Sequence, residues 1–220
     1  MKKFLSLLLA LVMCISLVAC GSKAFDKSKE AYGEISKAYT IADQMGSDIY
    51  EAWRMGIYDD DEILDDGTSY LAKELSLSEE EIIEGIVYTY MSMTSDTTYE
   101  EADEETKEEG RNLADSYFTV MEDSLFTACV MAVSNAYKAN GKVSEAQTAL
   151  NNAKSLMQEM SKKYSDYEHY PNLKEYFTNT SSLFDFCQNP DGSFEQIKDT
   201  INDYRNEARD YKSDLDYIFE

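Results

Sequence analysis

Acid–base and nucleophilic chemistry in this chain would have to be built around a single histidine, His169. A serine or cysteine nucleophile usually leans on a histidine base that a carboxylate orients. His169 stands in Tyr167-Glu168-His169-Tyr170-Pro171, which reads as a surface turn between two helices; a Cys187–His169 pair is the nucleophile–base alternative. Cys129 and Cys187 both fall on apolar helical stripes, where a thiol behaves as a small hydrophobe. Buried thiols are therefore expected, and a disulfide between them would need Cα atoms within about 7 Å. Zinc is unpromising because no HExxH or CxxC spacing gathers ligands on one ion. Calcium favours acidic loops, yet Asp59 to Asp66 lacks the EF-hand order and Asn189 to Glu195 is short and poor in acid. A glycosidase pair cannot be picked out of 43 acidic residues. The expectation is a non-enzymatic protein with no metal and no cofactor.

Those acids face only 20 Lys and Arg, for a net charge of −23. A field of that sign repels polyanions and excludes nucleic acid as a partner. The chain is nevertheless 43% apolar, which argues for a packed core over acidic disorder. The run Glu100, Glu101, Asp103, Glu104, Glu105, Glu108 and Glu109 reads as the solvated start of a helix, with a basic partner as the alternative. Lys23, Lys27 and Lys29 cluster instead at the amino end of the first predicted helix, where positive charge opposes the helix dipole. Contact with anionic headgroups would account for them, at about 1 kcal/mol per basic residue near the surface; the plainer alternative is a solubilised linker.

Only two prolines punctuate the chain, and apolar residues recur three and four apart, so the fold class is all-α. The first helix is predicted over Ala24 to Ile57, on Phe25, Tyr32, Ile35, Tyr39, Ala42, Ile49 and Trp53, with Ser28 and Gly46 as weak points. The acids from Asp59 to Asp66 read as a turn, followed by a short helix near Ser69 to Leu75. Ser78 with Glu81 forms a capping box, with Leu77 and Ile82 as hydrophobic staple, and that helix fades near Ser95. A long helix is predicted from Glu101 to Ala139. Asn140-Gly141 caps it, and Ser144 with Gln147 opens the next helix, whose face is Ala146, Ala149, Leu150, Ala153, Met157, Met160, Tyr164 and Tyr167. So short a link predicts an antiparallel hairpin. Pro171 opens a shorter helix that Asn189-Pro190-Asp191-Gly192 stops. Ser193 with Gln196 opens the last one, whose heptad is Phe194, Ile197, Ile201, Tyr204, Ala208, Tyr211, Leu215, Ile218. Tyrosines such as Tyr32, Tyr39, Tyr204 and Tyr211 fall on these seams as core residues with rim hydroxyls. The expected architecture is an elongated antiparallel bundle of four to five main helices with coiled-coil-like seams.

The first residues carry a different signal. Lys2 and Lys3 precede an apolar run from Phe4 to Val18, and Leu17-Val18-Ala19-Cys20 follows. This arrangement resembles the lipobox of a bacterial lipoprotein precursor. The resemblance covers about the first 21 residues and implies cleavage after Ala19 with a diacylglyceryl group on Cys20. A retained membrane anchor is the rival reading, but the run is shorter than the about 20 apolar residues a spanning helix needs. The expected organisation is a signal peptide over 1–19, a lipidated Cys20 with tether over 20–23, and one helical domain over 24–220. That tether spans at most about 14 Å, so the domain would stand close to the membrane. The function expected from these features is a surface lipoprotein, extracytoplasmic and held to the cell membrane by lipid. Its role would be binding, accessory or structural, with a protein or cell-envelope partner. The alternative is a ligand-binding lipoprotein with a small pocket lined by Tyr and Met.

Overall fold

Burial every third or fourth residue explains the longest element. Ala24, Ser28, Ala31, Ile35, Ala38, Ala42, Met45, Ile49 and Ala52 all turn inward, tracing one face of helix α1, Lys2–Tyr58. The structure, a computed structural model, describes residues 2–94 and 98–220, with side chains described from residue 22 onward except at 95–97 and 115. The expected lipobox at 17–20 thus lies outside the residues whose side chains are described. The backbone is already helical N-terminal to Ala24, through 20–23. Residues 22–58 extend roughly 55 Å at about 1.5 Å per residue and form the spine on which the other helices pack. Phe25, expected in the seam, is largely exposed, whereas Ser28 is buried. Its hydroxyl donates to the Ala24 carbonyl at 2.8 Å, which satisfies it inside the helix.

The described residues are all-helical, with α2 Asp60–Glu74, α3 Glu79–Thr94, α4 Glu104–Val120, a 3-10 turn Glu122–Ser124, α5 Leu125–Ala139, α6 Lys142–Lys163, α7 Tyr170–Gln188 and α8 Phe194–Phe219. Two expectations are corrected here. The acidic stretch 60–65 is the first part of α2 and not a turn; Asp60, Asp61 and Glu62 sit in its first turn, where the dipole stabilises them, and the break comes at Asp66 (φ −153°, ψ 69°). The helix expected over 101–139 is split at Met121–Ser124. α4 turns aside to pack on α3 and α2 while α5 lies between α1 and α3, and one unbroken rod cannot cover both places.

The predicted antiparallel hairpin at Asn140-Gly141 is also corrected. Phe126 of α5 meets Trp53 and Tyr137 reaches Asp48, while Asn152 and Met160 of α6 reach Glu34 and Ser28. Both helices therefore run antiparallel to α1, one after the other. Gly141, at φ 81°, is left-handed and redirects the chain onto the free half of the spine. The hairpin comes one turn later: α7 runs parallel to α1, from Tyr176 near Ser36 to Cys187 near Ala42. α8 then returns, with Arg205 on Asp43 and Asp216 on Tyr32.

Capping follows the expected pattern. Ser78 N donates to Glu81 at 2.8 Å and Glu81 N to Ser78 Oγ at 3.2 Å; Ser193 and Gln196 form the second box. α6 opens at Lys142, ahead of the expected Ser144; of the expected face Ala146, Ala149, Leu150, Ala153, Met157 and Met160 are buried, while Tyr164 and Tyr167 lie beyond the helix end and are half-buried against the core. On α8, Ile197, Ile201, Ala208 and Leu215 are buried, joined by Phe219, and Phe194, Tyr204, Tyr211 and Ile218 are half-buried against them. Fully burying each large aliphatic or aromatic side chain contributes about 1.5–3 kcal/mol, so α8 is held mainly by its seam. Arg205 fastens it laterally, donating to the Asp43 carbonyl at 2.8 Å and Ser47 Oγ at 2.7 Å.

Candidate functional site

The chemistry-bearing residues are separated by the fold. Cys129 lies against Gly56 and Cys187 against Gly46, ten residues and so roughly 15 Å apart along α1. Both are free and buried. Burial pushes each thiol up to about 12, which removes the thiolate that reactivity requires. His169 precedes α7 and Cys187 ends it, roughly 27 Å apart at about 1.5 Å per residue, so they form no nucleophile–base pair. The imidazole packs edge-on against Tyr167 and Phe219 instead.

The acidic segments have structural work of their own. Asp103 caps α4 by accepting from Thr106 N at 2.9 Å, and Glu104 and Glu108 pair with Arg111, which also binds Glu84 at 2.6 Å. Asp59 accepts from Arg54 and from the Tyr70 hydroxyl. Among the described residues no group of three or more His, Cys, Asp or Glu is arranged to hold a metal ion.

Lys23 and Lys29 are exposed near the amino end of the described spine. Lys27 is partly engaged, with Glu30 at 3.2 Å and Glu159 of α6 at 3.8 Å. Tertiary packing adds to this end of the molecule. The last turn of α6 brings Lys162 and Lys163, and Phe25 packs against the tilted Phe219 ring, two residues from the 94% exposed Tyr217. Asp26, Glu30 and Glu220 are exposed here too, so the charge of this end is mixed. Among the described residues no helix is long and apolar enough to cross a membrane.

Among the concave features of the described residues, two join side chains that the linear chain keeps apart. An apolar groove of about 200 Å³ lies between α3 and α4, with Met93 67% and Val120 77% exposed along it. The larger cleft, about 670 Å³, opens where α5, α1 and α3 meet the turn Asn189–Gly192. Trp53 and Phe126 form its apolar end, ring centroids 5.4 Å apart. Ser134, Asn135 and Lys138 form its polar end. The Lys138 ammonium donates to Asn135 Oδ1 at 3.0 Å and stands 5.7 Å from the centre of the Tyr88 ring. Asn135 in turn donates to Thr89 Oγ1 at 2.9 Å, and Thr89 to the Gly85 carbonyl at 2.8 Å. That chain of bonds fixes the polar end to the α3 backbone. Burial lowers the Lys138 pKa.

The volume falls in the range of small-molecule sites, and the lining is mixed, with Trp53, Phe126, Val130 and Met131 beside Ser134, Asn135, Lys138 and Asp191. Sequence reasoning assigned Trp53 to the first seam and passed over Lys138. The available signal was the four-residue spacing Phe126, Val130, Ser134, Lys138, which turns from apolar to polar along one face. The fold and its clefts thus define an all-helical protein arranged on one long spine. In comparisons with known proteins, no family model, no curated protein and no solved structure matches the chain.

Proposed function

We propose that this protein is a bacterial surface lipoprotein, extracytoplasmic and anchored by lipid on Cys20, with a non-enzymatic binding, accessory or structural role in the cell envelope. The observation that carries this reading is Leu17-Val18-Ala19-Cys20 after a basic start and an apolar run. Two or three acyl chains hold a protein stably at a bilayer, at about 0.8 kcal/mol per buried CH₂. The helical domain, read as an elongated antiparallel bundle with α1, α6, α7 and α8 as main helices and coiled-coil-like seams, then stands beside the membrane. Lys23, Lys27 and Lys29, with Lys162 and Lys163, are the cations at this end, of which Lys27 and Lys163 would exchange their pairing with Glu30 and Glu159 for headgroups. The buried thiols and the packed histidine support a binding role over catalysis. The exposed groove between α3 and α4 is a surface suited to a protein partner.

The test is metabolic labelling with a palmitate analogue, followed by crosslinking and affinity capture from native membranes. Label on the parent and none on Cys20→Ser supports the anchor, and recovery of an envelope protein only with the parent supports the accessory role. Equal membrane retention of an unlabelled parent and of Cys20→Ser would overturn the reading.

A second reading, a ligand-binding lipoprotein, is favoured by the cleft beside Trp53. Its lining includes one tyrosine, Tyr88, and one methionine, Met131, and its character comes more from Trp53, Phe126 and Lys138.

A further inference from the structure

We propose that the cleft beside Trp53 binds a small organic anion with a flat apolar body, the acid group on Lys138 and Ser134 and the body along Phe126 and Trp53. The inference rests on the ligand-binding reading and names the chemical class of that ligand. Three observations point the same way. Phe126, Val130, Ser134 and Lys138 follow one another at four-residue intervals on α5 and all line the cleft, about 6 Å per step at the helical rise. The site therefore has a direction, from an apolar end to a cationic end.

The second observation is the state of the polar groups. Ser134 is only 5% exposed and borders the cleft one helical turn from Lys138. Lys138 forms no ion pair among the described residues, in a chain of net charge −23. Its neighbours are an amide oxygen and a tyrosine ring. Asp191, the carboxylate on the facing turn, is exposed and makes no ion pair with it. A partly desolvated ammonium gains most from an opposite charge brought into the same low-dielectric space. The surrounding protein field repels anions at long range, so selectivity must come from this local contact.

The third observation concerns the body of the ligand. Trp53 is 8% exposed and packs against the tilted Phe126 ring, centroids 5.4 Å apart, so only a small part of the indole is open to a ligand. That geometry suits a thin planar group better than a saccharide, which needs a broad aromatic platform.

Trp53 is the single tryptophan, so its emission reports this site alone. The experiment titrates the full chain with 4′-nitrobiphenyl-4-carboxylate, a flat acid long enough to reach from Ser134 towards Phe126, and with its neutral isostere 4′-nitrobiphenyl-4-carboxamide, following Trp53 quenching and the heat of binding. The expected result is quenching by the carboxylate, with the amide at least tenfold weaker. Lys138→Gln should abolish the preference and Lys138→Arg should keep it, with unchanged circular dichroism certifying that both variants fold. Binding of both probes with equal affinity, or a preference that survives Lys138→Gln, overturns the assignment of an anion while leaving a ligand cleft. Absence of quenching by either probe overturns the anion assignment and the ligand-binding reading together.

Discussion

Alanine in place of Gly33 and of Gly85 should move stability in opposite directions, although both glycines lie inside helices and look alike in the chain. At Gly33 a methyl group would meet nothing within 4 Å. The substitution then gains the ordinary helix preference of alanine over glycine, about 0.8–1 kcal/mol. At Gly85 the same methyl would lie 2.6 Å from the Ala136 amide nitrogen and 3.0 Å from its Cα, and would overlap the Ala132 carbonyl. Those atoms belong to the α5 backbone and cannot rotate away. α3 must instead back off by nearly an ångström, loosening Ile82, Ile86, Ala132 and Val133 and stretching the Thr89–Asn135 bond. Overpacking of this kind costs about 1–3 kcal/mol, and rigid neighbours put it at the upper end. After subtracting the propensity gain, Gly85→Ala should lose about 2 kcal/mol, a gap of about 3 kcal/mol between the two variants. Thermal denaturation followed by circular dichroism measures both. For a chain of this size Gly33→Ala should raise the midpoint by about 2–4 °C and Gly85→Ala lower it by about twice that. Equal shifts of one sign would refute the close approach of α3 and α5.

Asp48 is a buried carboxylate that accepts from the Tyr137 hydroxyl at 2.7 Å, from Gln44 at 3.2 Å and from Ser76. Asp48→Ala should cost on the order of 3 kcal/mol, and Tyr137→Phe should cost less in that background than in the parent, which a double-mutant cycle reads directly. Alkaline pH supplies another check. The thiols of Cys129 and Cys187 are raised by burial from 9 to about 12, so the folded state holds protons that the unfolded chain releases. Their contribution is complete below pH 9 and lost between pH 9 and 12, at up to about 1.4 kcal/mol per pH unit for each thiol. The fall in stability from pH 8 to 11 should therefore be shallower in Cys129→Ala/Cys187→Ala than in the parent; parallel curves would contradict it.

The amino-acid chain by itself determined what depends on neighbours three or four residues away. The capping boxes at Ser78 and Ser193, the buried face of α6 and the α8 heptad were all legible, because helix formation and its caps are local and burial repeats with the helical turn. The string Leu17-Val18-Ala19-Cys20, on which the lipoprotein proposal rests, is legible for the same reason, being contiguous. Tertiary structure decided whatever depends on which surface remains free. Gly141 ends α5 in either arrangement, but only the unoccupied half of α1 sends α6 onward along the spine instead of back along α5. The break at Met121–Ser124 and the helical start of α2 likewise answer to packing partners distant in the chain. The cleft is the clearest case: Trp53, Lys138 and the turn at Asn189–Gly192 come from three separate stretches, and no local rule links them. Their meeting follows from three helices and a turn that fail to fill the space between them.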